Sequence, residues 1–519
     1  MKRKIIASVL AAAMIAGTLA GCGGGKDNEE KGKVSSATKV NEDGTIDTSE
    51  EVTVSMYLYG DEGVANKDIL AELNKILKED INTTLEIKYI TWNDTNTKYP
   101  LLWSSGEEFD MAYGASNAVV PYATLARQDA LVDITDMLDT YAPTLKEKID
   151  DKAWESMKVE GKIYGVPSTY SEFTANGFVT RKDKMEEYGV ESIESIEDME
   201  KYMDASVAAG RIPLNGDSSL ANDMYKMFIN TTNQWVPAPG ITENELFLVG
   251  DIKNPEEIIS PVFTDEFEDF AVRMREWSDK GYWSKDVLAG TVNEKDNFHN
   301  DMGDAYISHQ PDWTGAKGIV DEKLGGVETE FFCFPETTGT LIGKSGVENA
   351  TLINANSKHP ERALMVIEKL MTDKECYDLF QYGIEGRQYE IKDGKITKPA
   401  SWDKKVDEGG FSGWALRTDE FSVPYATEDE RRYTLNEEWK KVAVENPYLG
   451  FVVDTKEFST EISSITNVNS QLGIQILLGK TAQDPKEAVA EYRKQLEAAG
   501  IDKVIESVNQ QYKEFLESK

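Results

Sequence analysis

In the stretch EVTVSMYLYGDEG, Val52, Val54, Met56 and Leu58 alternate with Thr53, Ser55, Tyr57 and Tyr59. That two-residue period predicts a strand buried on one face. In the DILAELNKILKED that follows, Ile69, Leu70, Leu73, Ile76 and Leu77 fall on one helical stripe. TTLEIKYITW returns to alternation, with Leu85, Ile87 and Tyr89 on one face. A helix-like stretch covers residues 99–105, and FDMAYGA reads as a third strand. Strand, helix, strand, helix, strand within about 65 residues predicts a parallel α/β unit. Such sheets bind ligands beyond the carboxyl ends of their strands. Here that edge is formed by the loops 60–66, 92–96 and 114–122.

The mixed pattern continues. SIEDMEKYMDASVAAG opens with Ser195 as N-cap and Asp198 three residues on, and ends at Gly210. DPKEAVAEYRKQLEAAG has Asp484 as N-cap, Pro485 at the first helical position, Glu487 three after the cap and Gly500 past the end. Val504, Ile505, Val508, Tyr512, Phe515 and Leu516 form a last amphipathic stripe. Ahead of the first strand the pattern is different. Lys2, Arg3 and Lys4 precede a short apolar run, residues 5–20, that falls short of the ~20 residues of a membrane span. This predicts a secretory signal over residues 1–21. Its end, Leu19-Ala20-Gly21-Cys22, resembles the lipobox of bacterial lipoproteins, which makes Cys22 the expected lipidated residue. Residues 22–50 are polar and glycine-led, and are expected to be a disordered tether.

The chain carries a formal net charge of −37, and loss of residues 1–21, with three basic residues and no acid, takes it to −40. Phosphates would be repelled, which argues against nucleic acid and anionic lipid as partners. The remaining length suits two or three domains, each with its own core. Besides Cys22 there are Cys333 and Cys376, expected as two buried free thiols, with one disulfide as the alternative.

Several segments, taken in order, resemble one family. They are LLWSSGEEFDMAYGAS, GKIYGVPSTY, FVTRKDKMEEYGVESIESIEDME, GDAYISHQPDW and ATLINANSKHPERALMVIEKLM. Their order and spacing are similar to those of the extracellular solute-binding proteins of bacterial ABC importers, in the branch that carries sugars and oligosaccharides. The tail NPYLGFVVDTKEFSTEISSITNVNSQ, with two closing helices, resembles a C-terminal module of unknown function found in one lipoprotein branch. The resemblance implies an α/β, two-lobe, periplasmic-binding-protein-like (type II) fold whose lobes are joined by crossing strands and close on a ligand. It places residues 51–165 and 305–355 in the first lobe. Residues 166–304 and 356–519 go to the second, with the tail module from about 445. It implies a monomeric, lipid-anchored, extracytoplasmic receptor with no enzymatic activity and no cofactor. Such a receptor delivers a carbohydrate to an ABC permease.

A sugar site needs an aromatic face beside planar polar groups. Tyr59 and Asp61 follow the first strand, Ser116 and Asn117 the third. Tyr170 lies just past the first expected crossing, and Trp313 follows the return crossing, where the resemblance implies a cleft aromatic. Glu385 and Arg387 are a glycine-flanked pair that either lines the cleft or forms a mutual ion pair. Trp235 sits in NQWVPAPG, read as a loop, and Trp402 and Trp414 are further aromatics in loop-like sequence.

Other chemistries find less. His299, His309 and His359 lack metal spacing, and NEKDNFHNDMGDA misses the EF-hand pattern, so no metal is expected. A surface glycoside hydrolase is the alternative of a different class, although a carboxylate pair can be found anywhere among 93 acidic residues and so carries no information. A peptide or another small solute in the same fold is a second.

Overall fold

The computed structural model describes residues 38–115, 118–171, 173–238, 248–343, 348–448, 451 and 453–518. Two sheets organise them. Their strands, in chain order, are β1 (Val52–Tyr59), β2 (Thr83–Ile90), β3 (Met111–Gly114), β4 (Gly165–Pro167), β5 (Asn176–Arg181), β6 (Ala305–His309), β7 (Thr329–Cys333) and β8 (Ala350–Ile353).

β1 forms where the alternation predicts it. Val52, Val54, Met56 and Leu58 bury their side chains against Ile69, Leu73 and Leu77 of the helix Asn66–Ile81. β1 pairs in parallel with β2, from Val52 opposite Thr83 to Tyr59 opposite Ile90, and in parallel with β3. β8 adds antiparallel to β3, and β4 antiparallel to β8, giving the order β2-β1-β3-β8-β4. The helix Pro360–Thr372 covers the same core through Leu364, Ile367 and Leu370. This is the first lobe. The second is built on an antiparallel sheet, β6-β5-β7, and a core that runs from Phe178 through Met224 and Phe267 to Tyr512.

The lobe boundaries differ from the expected ones in two places. Residues 305–333 belong to the second lobe, because β6 and β7 flank β5, and the chain returns to the first sheet only at β8. Residues 360–416 belong to the first lobe, since Leu364, Ile367, Leu370, Phe380, Phe411 and Leu416 share its core. Alternation marks a strand but names no partner for it.

Among the described residues, three segments run between the lobes, and backbone hydrogen bonds tie them together. The Ser168 amide donates to the Asn349 carbonyl (2.8 Å) and the Thr169 amide to the Arg417 carbonyl (3.2 Å). Gly343 and Leu341 exchange similar bonds with Val444. Phe173, Ala175, Cys333, Leu341 and Trp439 form a small apolar cluster among these crossings.

Order begins earlier than the tether was expected to end. Residues 39–47 form a two-stranded hairpin, and Arg362, with no exposed surface, clamps the chain that follows it. Its guanidinium donates to the carbonyls of Asp47 and Glu50 (3.3 Å each) and of Ile81 (2.6 Å). The proposed signal, Cys22 and the first part of the tether lie outside the described residues.

The predicted caps form. Ser195 accepts from the Asp198 amide at 3.1 Å, and Asp484 from the Lys486 amide at 2.9 Å. Cys333 and Cys376 are free and buried, and burial pushes the Cys376 thiol up to about 12. The tail is a layer of the second lobe: Tyr448, Val504, Val508 and Tyr512 share its core. Among the described residues, no helix is long and apolar enough to cross a membrane.

Candidate functional site

The carboxyl ends of β1, β2 and β3 carry an aromatic wall. Tyr59 closes β1, and its side chain falls on the face opposite Leu58, away from the main core. Trp92 follows β2 in the single-turn helix Trp92–Asp94, and Tyr113 lies on β3. Trp414 arrives from far along the chain, on the single-turn helix Trp414–Leu416. Ring centroids lie 5.6 Å apart for Tyr59–Trp92, 5.3 Å for Tyr59–Tyr113, 5.4 Å for Trp92–Trp414 and 6.4 Å for Tyr113–Trp414. Trp92 is 54% exposed although its ring touches those of Tyr59 and Trp414: it is held but not covered.

Polar groups frame the wall. The Tyr99 hydroxyl donates to the Tyr113 carbonyl at 2.7 Å, which fixes the base of the cluster. The Tyr113 hydroxyl donates towards the Glu348 carbonyl and Asn349 Oδ1, each at 3.2 Å. Burial pushes that phenol up to about 12, so it stays a neutral donor at physiological pH. Beside it the Arg417 guanidinium lies 4.4 Å over the Tyr170 ring, a cation–π contact at the lobe crossing. The combination offers apolar ring faces for the C–H surface of a ligand and, in the neutral Tyr113 phenol oxygen, an acceptor for its hydroxyls.

The other expected residues divide. Tyr59 sits in the wall, Asp61 is exposed on the loop just beyond it, and Tyr170 is half-buried at its side. Ser116 and Asn117 lie outside the described residues. Trp235 is not on a loop: it opens the strand Trp235–Pro237, opposite Asp251, and is 6% exposed in the second lobe's core. Its ring packs 5.3 Å from Phe228, leaving no face for a sugar. Trp313 is 4% exposed. One face stacks on Phe331 (4.9 Å, 13°), the other lies under the Arg431 guanidinium (4.4 Å), and its Nε1 donates to Thr329 Oγ1 (2.8 Å). Both faces are taken. Arg387 pairs with Asp407 (2.9 Å) and Asp68 (2.7 Å), so the suggested ion pair with the exposed Glu385 gives way to a brace across the first lobe.

Trp92 and Tyr113 were missed as individual residues, although the loop 92–96 was placed at the ligand edge. The usable signal was position, a Trp within two residues of a strand's carboxyl end. Trp414, named from its loop-like sequence but given no place at the ligand edge, joins the wall. Among the described residues, no group of three or more His, Cys, Asp or Glu side chains gathers to hold a metal ion.

Comparisons with known proteins bear on this arrangement. A carbohydrate ABC transporter substrate-binding protein of Streptococcus pneumoniae serotype 4 is 26% identical over 527 residues, covering 100% of this chain and 99% of the relative. The lipoprotein LipO of Bacillus subtilis is 22% identical over 476 residues, 83% of this chain and 87% of LipO. The N-glycan transport solute binding protein (NgtS) of Streptococcus pneumoniae has a similar fold. Its TM-score is 0.74 at 22% identity, over 90% of this chain and 99% of that one. The tail, residues 447–517, matches a domain of unknown function (DUF3502). Residues 64–375, more than half of the chain, match the family model described as bacterial extracellular solute-binding protein, and the chain belongs to that family.

Proposed function

We propose that this chain captures a carbohydrate outside the membrane and presents it to an ABC importer, without turning it over. The observation that carries the reading is the exposed Trp92 ring beside Trp414 and Tyr113 at the ligand edge of the first sheet. A pyranose has an apolar face and a rim of hydroxyls, and this wall answers both. The pneumococcal relative's name supports the same ligand class. Closure of the two lobes over the sugar follows from the three-segment hinge: the ligand contributes the free energy that shifts an open–closed equilibrium. The permease then meets the closed form. A lipid on Cys22, with the polar residues after it, holds the receptor at the cell surface as a monomer.

A thermal-shift screen tests this. The probes are Man5GlcNAc, the glycan bound in one pneumococcal NgtS structure, and maltotriose, chitotriose and cellotriose, with short peptides alongside. Ligand at 100 times its dissociation constant adds ~2.7 kcal/mol of stability. A rise in midpoint with one family of glycans is expected, with the glycan recovered intact. A response to peptides alone overturns the carbohydrate reading, and cleaved glycan overturns the non-enzymatic one.

A further inference from the structure

Tyr59 is where the sheet, the aromatic wall and the ligand edge meet. It ends β1, it is 9% exposed, and its ring touches Trp92, Tyr99 and Tyr113. Its hydroxyl is shielded from solvent and has no hydrogen-bond partner among the described residues. The two neighbouring tyrosines differ: Tyr99 and Tyr113 each donate to a backbone carbonyl. A buried hydroxyl left unpaired costs free energy that phenylalanine at the same place would avoid. Tyr59 therefore carries a polar group that the fold does not use.

Trp92, which touches its ring, and Trp414, which packs on Trp92 and Tyr113, sit on short elements. Trp92 and Trp414 each belong to a single helical turn, the first directly after β2 and the second after residues 408–413. Gly60, directly after Tyr59, adopts φ +117°, and a β-carbon there would lie 3.2 Å from Ser412 Oγ and 3.9 Å from Trp92 Nε1. The backbone thus runs close against both covering loops, one from each end of the first-lobe sequence.

We propose that the Tyr59 hydroxyl is a specificity-determining donor: it hydrogen-bonds one hydroxyl of a pyranose stacked on Trp92 and Trp414, whose rings part to admit it. This rests on the carbohydrate reading above. A site that pairs a buried hydroxyl with a substrate hydroxyl rejects the analogue that lacks it, because the protein's group is then left unpaired. Tyr59 thus sets which sugar epimer or deoxy-sugar the wall accepts, while the tryptophans accept any apolar sugar face.

Tyr59→Phe removes one oxygen and keeps the ring. Tryptophan-fluorescence titrations of the wild-type chain and this variant, with Man5GlcNAc, maltotriose, chitotriose and cellotriose, give the affinity. Melting of the unliganded proteins gives the cost of the hydroxyl. The expected result is an affinity lower by roughly tenfold for the glycan that binds, with a melting temperature unchanged or raised. Equal affinity of the two proteins overturns the proposal while leaving the carbohydrate reading standing. A lowered melting temperature also overturns it, since the hydroxyl then has a structural partner. If none of the four glycans binds the wild-type chain, the carbohydrate reading fails and this inference falls with it.

Discussion

Trp92 and Trp235 are chemically the same residue in opposite situations, and each predicts what its loss does. Trp92 leaves 54% of its surface in water, whereas Trp235 leaves 6%. Trp92→Ala should leave stability nearly intact and weaken glycan binding by about 2 kcal/mol, as for a stacking anchor. Trp235→Ala empties a site in the second lobe's core, and should cost about 3–5 kcal/mol of folding free energy. Urea unfolding and a binding titration on both variants check the pair. The reverse assignment of effects would mean that the wall is structural. Sequence reading placed Tyr59 at the ligand edge from strand period and polarity alone. It could not separate Trp92 from Trp235 or Trp313, because exposure depends on neighbours such as Phe228 and Arg431 that lie far away or later in the chain.

The short helix Glu294–His299 holds a titratable group that packing has set near neutrality. Glu294 is 4% exposed. Burial, then the nearby charge of Asp223, pushes its carboxyl up to about 7, with Asp217 adding to the shift and Lys226 opposing it. Asp223 is raised as well, burial again the largest cause. The unfolded chain ionises Glu294 near pH 4.5, while the folded protein keeps the proton to about 7. The folded state thus binds more protons within that window, and stability falls as pH rises through it. Glu294→Gln should flatten this slope. Urea midpoints at pH 5 and pH 7.5 check it; a wild-type midpoint that rises with pH in step with the variant's would contradict it. At this level the strand and helix signals were legible where they were local: the alternation of Val52 to Leu58, and the caps at Ser195 and Asp484. The partner of β6 was not, because β5 lies more than a hundred residues earlier in the chain and both lobes offer an apolar sheet face.

Taken together, the described residues form two main cores joined by three crossing segments, with the tail built into one of them. Tyr448 and Tyr512 pack 5.0 Å apart inside the second lobe, and a β-carbon on Gly250 would fall 1.7 Å from the Tyr448 hydroxyl. The Asn509 amide pairs with both the amide and the carbonyl of Ile258 at 2.8 Å, closing the edge of a neighbouring sheet. Ending the chain at residue 446 should therefore leave the second lobe unable to fold, seen as loss of a cooperative melt. A truncated chain that melts as the full one does would make the tail peripheral. The two-lobe architecture was legible through the family resemblance, which covers most of the chain. The exchange of segments between lobes was not, since nothing in residues 305–333 or 360–416 marks which core they enter.

Isothermal titration of the full chain with the glycan panel, followed by chromatography of the recovered sugar, bears most directly on the receptor reading. Saturable heat at one glycan per chain, with the sugar returned unchanged, is the expected result. Heat from none of the glycans, or a continuing signal with shortened products, would contradict it.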